Sequence, residues 1–273
     1  MQIEIHGHRG CRGYMPENTI AGFLHAVELG VTAIELDVVV TGCKKILVSH
    51  EPWMNHQFFL DDRGNPITEY EQKQFNIFKM SYADIVKYNC GAKQHHRFPE
   101  QILFPAYKPL LKDVLLAVEY FTSFKKLKPV HYNIEIKSVE EDVGLFQPPR
   151  NLFCDILMEE LNCFKLNGRY NLQSFDVRVL NYLHKQHNQN ALAVLVDEKE
   201  NYLSKFQSCS FRPQTCSPYY KLVSNEMVAY CHSQNIKVIP WTVNELSDME
   251  RLTAMGVDGI ITDYPKRLIK LLN

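Results

Sequence analysis

At 273 residues and 45% hydrophobic content, the chain has the size and make-up of one soluble α/β barrel, which takes about 250 residues, and asks for no second domain. A net charge of −1 leaves no basic field for nucleic acid, and no apolar run is long enough to cross a bilayer. The eight cysteines show neither C-x-x-C nor zinc-site spacing, so free and mostly buried thiols are expected.

Met1 stands almost directly on the first strand, with no charged and apolar leader before it. A cytoplasmic location is therefore expected, or a periplasmic or secreted one if a leader has been trimmed. The first strand runs into H-G-H-R-G-C-R-G-Y-M-P-E-N-T, residues 6–19. Asn18 or Thr19 then caps a helix carrying Ile20, Phe23, Leu24 and Val27 on one face, and Gly30 ends it. A strand over 33–40 follows, and a short one over 46–49 delivers His50. Later strands are predicted at 131–137, 170–175, 191–196, 214–218, 236–241 and 258–262, alternating with helices at 110–121, 152–164, 176–187, 224–234 and 246–255. This βα rhythm covers almost the whole chain.

The segment 51–108 breaks it. Rich in Asn, Gln, His, Phe and Pro, it shows one helix-like stretch, Ser81–Tyr88, and is too long for a plain loop. It reads as a cap over a barrel mouth.

Glu35 and Asp37 stand two apart in a strand and so point to one side, with Ile34, Leu36 and Val38 on the other. In H-Y-N-I-E-I-K, residues 131–137, Glu135 and Lys137 share a face with Asn133, opposite Tyr132, Ile134 and Ile136. Strands that are apolar outward and charged inward fit a closed parallel (β/α)8 barrel, whose functional side chains gather at the carboxyl ends of the strands. Three converging acids repel one another and must protonate or bind a cation. Acids for a cation, an arginine for phosphate and histidines for protons are the parts of a metal-assisted phosphoryl site.

The motifs together resemble a glycerophosphodiester phosphodiesterase from the first strand to the last. They are His8-Arg9-Gly10, Pro16-Glu17-Asn18-Thr19, Glu35-x-Asp37, Val48-Ser49-His50, Asn133-Ile134-Glu135-Ile136-Lys137, Gln173-Ser174-Phe175, Trp241-Thr242-Val243-Asn244 and Gly259 to Pro265. The resemblance implies a TIM barrel with a small insertion between the second strand and second helix, here 51–108. It also implies metal ligands Glu35, Asp37 and Glu135, acid and base His8 and His50, and a phosphate held by Arg9 and Lys137. Two departures stand out: Glu51 follows His50 where the family usually has aspartate, and Cys11 occupies a position where small inert residues are common.

All-oxygen ligands favour magnesium or calcium, with manganese also suited. The implied reaction is metal-dependent hydrolysis of a small glycerophosphodiester to glycerol 3-phosphate and an alcohol. The alternatives are a lysophospholipase D, with Trp53, Phe58, Phe59 and Phe104 of the cap lining an acyl trough, or an inactive barrel used as a binding protein. Trp241 ends a strand and either packs in the barrel or forms an apolar wall against glycerol. Oligomeric state is not legible.

Three features point elsewhere. Gly7, Gly10 and Gly13 mimic a dinucleotide loop, but the spacing is wrong and the loop carries His8, Arg9 and Arg12. Ser174 has no G-x-S-x-G elbow. His6 shares a strand face with His8 and competes for its role, while His95, His96, His184 and His187 fall in polar stretches and are expected on the surface.

Overall fold

The computed structural model describes residues 3–189 and 191–273. Strand β1 (Glu4–Gly7) leads through a tight loop into helix α1 (Ile20–Leu29), and β2 (Ala33–Val40) follows, buried at all eight positions. Of the two predicted caps of α1, Thr19 makes the bond, its hydroxyl accepting from Gly22 N; Asn18 serves the site instead. Gly30 closes the helix at a left-handed φ of 99°.

The remaining strands are β3 (Ile46–Val48), β4 (His131–Ile136), β5 (Tyr170–Ser174), β6 (Leu192–Val196), β7 (Thr215–Pro218), β8 (Lys237–Val238) and β9 (Gly259–Thr262). Eight run parallel in the order β8-β7-β6-β5-β4-β2-β1-β9, while β3 pairs antiparallel with β2 off this path. Between β8 and β9 the wall continues through backbone bonds from Asp258 N to the Val238 carbonyl and from Ile261 N to the Pro240 carbonyl, at 2.9 and 3.0 Å. The result is a nearly closed parallel barrel with its helices outside.

Those helices are α2 (Tyr82–Ile85), α3 (Leu111–Lys125), α4 (Arg150–Asn162), α5 (Val177–His187), α6 (Tyr202–Ser208), α7 (Asn225–Ser233), α8 (Leu246–Ala254) and α9 (Pro265–Leu272), besides α1. Two of them escaped the sequence pattern. Helix α6 has only seven residues and no fully buried side chain, and α9 buries only Pro265 and Leu268. Helix α3 runs four residues beyond its predicted end. Its buried stripe of Leu111, Val114, Leu115, Val118 and Thr122 extends past Phe121 to end on a polar residue.

Register places the site. Glu35 pairs with Asn133, Asp37 with Glu135, and Glu135 with Gln173, so these side chains leave three neighbouring strands on the inner face. The outer face carries Ile34, Leu36, Ile134 and Ile136, which pack with Phe153, Leu157 and the helix stripes into the main core. A barrel interior is usually filled by branched apolar residues; here the upper interior is polar.

Residues 51–108 contain two single-turn 3₁₀ segments (Gln72–Gln74 and Ile77–Lys79), α2, and a core of their own around Met54, Phe58, Phe59, Ile67, Ile77 and Ile85. Phe58 and Phe59 thus fill this small core and do not line a trough. The buried Lys108 pins it to the β1–α1 loop, its Nζ donating 2.7 Å to the Glu17 carbonyl above the Phe58 ring. Gln101 Nε2 adds bonds to the carbonyls of Arg12 and Met15.

His95 corrects the surface expectation. It is buried in the same region, stacked on Phe58 at 5.8 Å and against Phe98 at 4.8 Å, where a flat imidazole fits between the faces of aromatic neighbours. His96 is exposed, whereas His184 and His187 are half-buried, the latter bonded to Asp155. All eight cysteines are free; five are buried, Cys209 is intermediate, and Cys43 and Cys163 are exposed. No described helix is long and apolar enough to cross a membrane.

Candidate active site

At Gly7 the chain leaves β1 and turns at once, with no room for a side chain: a Cβ there would lie 2.1 Å from the Gly10 carbonyl oxygen. This packing, and not a phosphate cradle, explains the glycine repeat. Arg9 holds a left-handed φ of 50°, which costs a non-glycine residue roughly 1–2 kcal/mol. That conformation brings its N–H 3.0 Å from Glu35 Oε2. Asn18, at φ 53°, sends its Nδ2 2.9 Å to Asp37 Oδ2. Strained backbone here sits against carboxylates.

Glu35, Asp37 and Glu135 are all buried, and one oxygen from each lies within 4.8 Å of the others. Burial, then the charges of Asp37 and Glu135, pushes the Glu35 carboxyl well above its ordinary value. Burial likewise raises Glu135, although Lys137 pulls the other way. Burial alone would raise Asp37 too, but Arg9 and Lys137 hold it below the usual carboxylate range. Asp37 Oδ1 is buried without a hydrogen-bond partner. Lys137 Nζ stands off from it at 3.9 Å, and a buried acceptor with no hydrogen bond among hard oxygen donors is the setting a divalent cation completes.

Arg9 reaches Glu17 through Nη1 at 2.9 Å, and its Nε lies 3.2 Å from Asp37 Oδ2. Lys137 Nζ sits 2.6 Å from Glu135 Oε1 and donates to His50 Nε2 at 3.0 Å. An ammonium has no lone pair, so His50 Nε2 must be the acceptor and Nδ1 carries the proton toward Glu51 Oε1, 2.8 Å away. Glu51, the departure from the family pattern, therefore fixes the histidine that precedes it.

His8 is held from the far end of the chain. Its Nδ1 lies 2.7 Å from Asp263 Oδ1, and Asp263 is in turn gripped by Arg12 and by Asn244 Nδ2. Burial draws His8 down to about 4, against the upward pull of Asp263. Its other nitrogen, Nε2, faces Glu35 Oε2 at 3.9 Å. His6 lies lower in the barrel, with Nε2 bonded to Glu4 at 3.0 Å, and does not reach the mouth.

A cavity of about 230 Å³ opens at this end, lined by His8, Arg9, Glu35, His50, Glu135, Lys137 and Trp241. Every site residue expected from the sequence borders it except Asp37, which completes the carboxylate cluster beneath. Trp241 forms an apolar wall with Phe175, the rings crossing at 88°, and its indole N–H donates to the Ser217 carbonyl. Sequence reasoning missed Arg12, Glu17, Gln173 and Asp263 as working parts. Three of these lie within motifs already quoted, but nothing in spacing says that Asp263 faces His8. Arg97, which brings a cation from the 51–108 segment to the rim, carries no sequence signal. Cys11 is buried with its thiol pushed up to about 12 by burial, and it donates to the Gly22 carbonyl. It acts as a small packing residue.

The glycerophosphoryl diester phosphodiesterase family model matches residues 8–267. A glycerophosphodiester phosphodiesterase of Bacillus altitudinis is 28% identical, over 98% of this chain and 97% of its own length. A lysophospholipase D of Mus musculus is 25% identical, covering 97% of this chain and 85% of its own. The crystal structure of a glycerophosphoryl diester phosphodiesterase homologue from Silicibacter pomeroyi superposes with a TM-score of 0.89 at 28% identity, covering 99% of this chain and 93% of that one. With the match running from the first histidine loop to the last helix, the chain belongs to the glycerophosphoryl diester phosphodiesterase family and is an enzyme of that class.

Proposed function

We propose that the chain hydrolyses small glycerophosphodiesters to glycerol 3-phosphate and an alcohol, using one divalent cation and two histidines. The observation that carries this is the meeting of three buried carboxylates, one with an oxygen that has no hydrogen bond, at the floor of a small cavity bordered by His8 and His50. Glu35, Asp37 and Glu135 would hold the cation, and their hard oxygen set suits magnesium, calcium or manganese. When bound, such an ion offsets the charge of the diester and the further charge of its transition state.

The chain's own groups do the rest. Arg9 and Lys137 grip the phosphate. As Lys137 turns toward the phosphate it releases His50 Nε2, which frees that nitrogen for proton transfer as substrate enters. His8 is held by Asp263 with Nε2 open. One histidine takes the proton of the attacking hydroxyl, and the other protonates the leaving alcohol. The attacker is water or the substrate's neighbouring glycerol hydroxyl, which gains from proximity. Trp241 and Phe175 give the glycerol carbons an apolar wall.

The whole chain acts as one catalytic domain, with 51–108 as a cap that limits how deep a head group can go. A lysophospholipase D reading has one observation in its favour: Val139, Val143 and Leu145 are exposed on the loop after β4, at the same end of the barrel. The cap's Phe58 and Phe59 are spent on its own core, which favours the small diester. The test is a panel of glycerophosphodiesters and lysophospholipids assayed with magnesium, calcium and manganese. Glycerol 3-phosphate released from soluble diesters with one of these ions supports the reading; no release from any diester with any ion would end it.

A further inference from the structure

Below the carboxylate cluster, the barrel interior holds a column of side-chain amides where branched aliphatic residues would ordinarily pack. Gln173 Nε2 lies 3.1 Å from Glu35 Oε1, and Asn133 Nδ2 lies 3.1 Å from Gln173 Oε1. Asn171 Nδ2 lies 2.6 Å from Asn133 Oδ1, and His131 Nε2 lies 2.9 Å from Asn171 Oδ1. The chain zigzags between β4 and β5, through the paired positions Asn133 and Asn171, and then crosses to β2.

With Glu35 ionised, as a bound cation would keep it, the sense of every link is fixed. A carboxylate only accepts, so Gln173 must present its NH₂ to Glu35 and its carbonyl oxygen to Asn133. Asn133 must then donate and Asn171 must donate to it, which leaves His131 to donate Nε2–H. All four hydrogens point toward Glu35, so the amide dipoles stack with their positive ends at the carboxylate and strengthen one another. At the other oxygen, the Arg9 N–H completes the grip. Each oxygen of Glu35 is thereby pinned by one donor.

We infer that this column is a positioning device: Asn133 and Gln173 set the orientation of Glu35 and, through it, the affinity of the site for a divalent cation. Burying amides costs free energy unless each is fully bonded, and aliphatic side chains would fill the same space without that demand. Asn133 and Gln173 are nearly fully buried, 2% and 1% exposed, and their bonds lead to a single carboxylate. Outer partners of metal-binding side chains typically change affinity by about 10–100-fold when removed. The inference rests on the proposed cation role of Glu35.

The experiment is manganese binding to the purified protein, measured by calorimetry and by the rise in melting temperature that manganese produces, for wild type, Gln173→Met and Asn133→Leu. Gln173 borders the substrate cavity and Asn133 does not, so Asn133→Leu isolates the column from any substrate contact. The expected result is a Kd weakened by about 10–100-fold in Gln173→Met and by about 3–10-fold in Asn133→Leu. Both variants should show a smaller manganese-induced stabilisation, and Asn133→Leu should recover kcat within about threefold at saturating cation. A packing role alone would lower the melting temperature equally with and without manganese. Unchanged Kd in folded Gln173→Met rejects the column's role even if Asn133→Leu fails to fold. Wild type that binds no divalent cation would remove the cation reading itself, and the column's role with it.

Discussion

Asp263 Oδ1 and His8 Nδ1 meet at 2.7 Å although 255 residues separate them. The pairing joins the loop after the first barrel strand to the end of the last, so closing the barrel also sets a histidine tautomer. Arg12 occupies both oxygens of Asp263, which leaves the carboxylate no freedom to follow a different partner. Asp263→Asn should therefore lower kcat by about 10-fold or more with manganese affinity nearly unchanged, since His8 loses its fixed tautomer and not its place. Equal turnover in the variant would show that the contact is only structural.

His8→Ala and His50→Ala should each reduce kcat by about 10²-fold or more with little effect on cation binding. His6→Ala should leave turnover near normal, because His6 is tied to Glu4 below the mouth. Steady-state kinetics of the three variants decide the assignment, and loss in His6→Ala with a normal His8→Ala would reverse it.

His8 also ties stability to pH. Burial depresses its folded pKa to about 4 from an ordinary 6.5, so between these values the unfolded chain takes up a proton that the folded chain refuses. The resulting stability is complete above pH 6.5 and is lost as pH falls toward 4. Urea melts across this range should show a downward slope that is shallower in His8→Gln. An identical slope in the variant would mean that His8 is not held neutral.

In the proposed reading, residues 51–108 form a cap that limits substrate size. Phe58 and Phe59 are turned into its own core, Trp53 packs edge-on against Phe146, and only Arg97 of residues 51–108 borders the 230 Å³ cavity. Soluble diesters such as glycerophosphoethanolamine should then be turned over with a higher kcat/KM than lysophospholipids. Direct competition between the two checks this, and the reverse ranking would favour a lysophospholipase D.

The parts legible in the sequence are those where chemistry and period coincide. Glu35, Asp37, Glu135 and Lys137 announce themselves because a charge repeated every second residue in an apolar strand has one direction to face. The βα alternation gave the barrel for the same reason. Residues whose roles depend on partners distant in sequence stayed hidden. Asp263 follows a strand and resembles a turn residue, and Glu17 resembles a helix-start acid until Arg9 and Arg12 are seen around it. Asn133 and Gln173 are polar residues at inward positions, and only register reveals that they form a line. His95 was misjudged because local polarity says little about the packing of an irregular segment. Helices α6 and α9 bury too few side chains to leave a clear periodic mark.

The proposed cation site at Glu35, Asp37 and Glu135 is tested most directly by assaying release of glycerol 3-phosphate from glycerophosphoethanolamine. Chelated enzyme, enzyme resupplied with magnesium, calcium or manganese, and the Glu35→Ala, Asp37→Ala and Glu135→Ala variants belong in one experiment. Chelation should abolish turnover, one of the ions should restore it, and each alanine variant should lose most activity and cation binding while keeping a native melt. Wild-type turnover in the chelated enzyme, or in the triple alanine variant, would contradict the metal site.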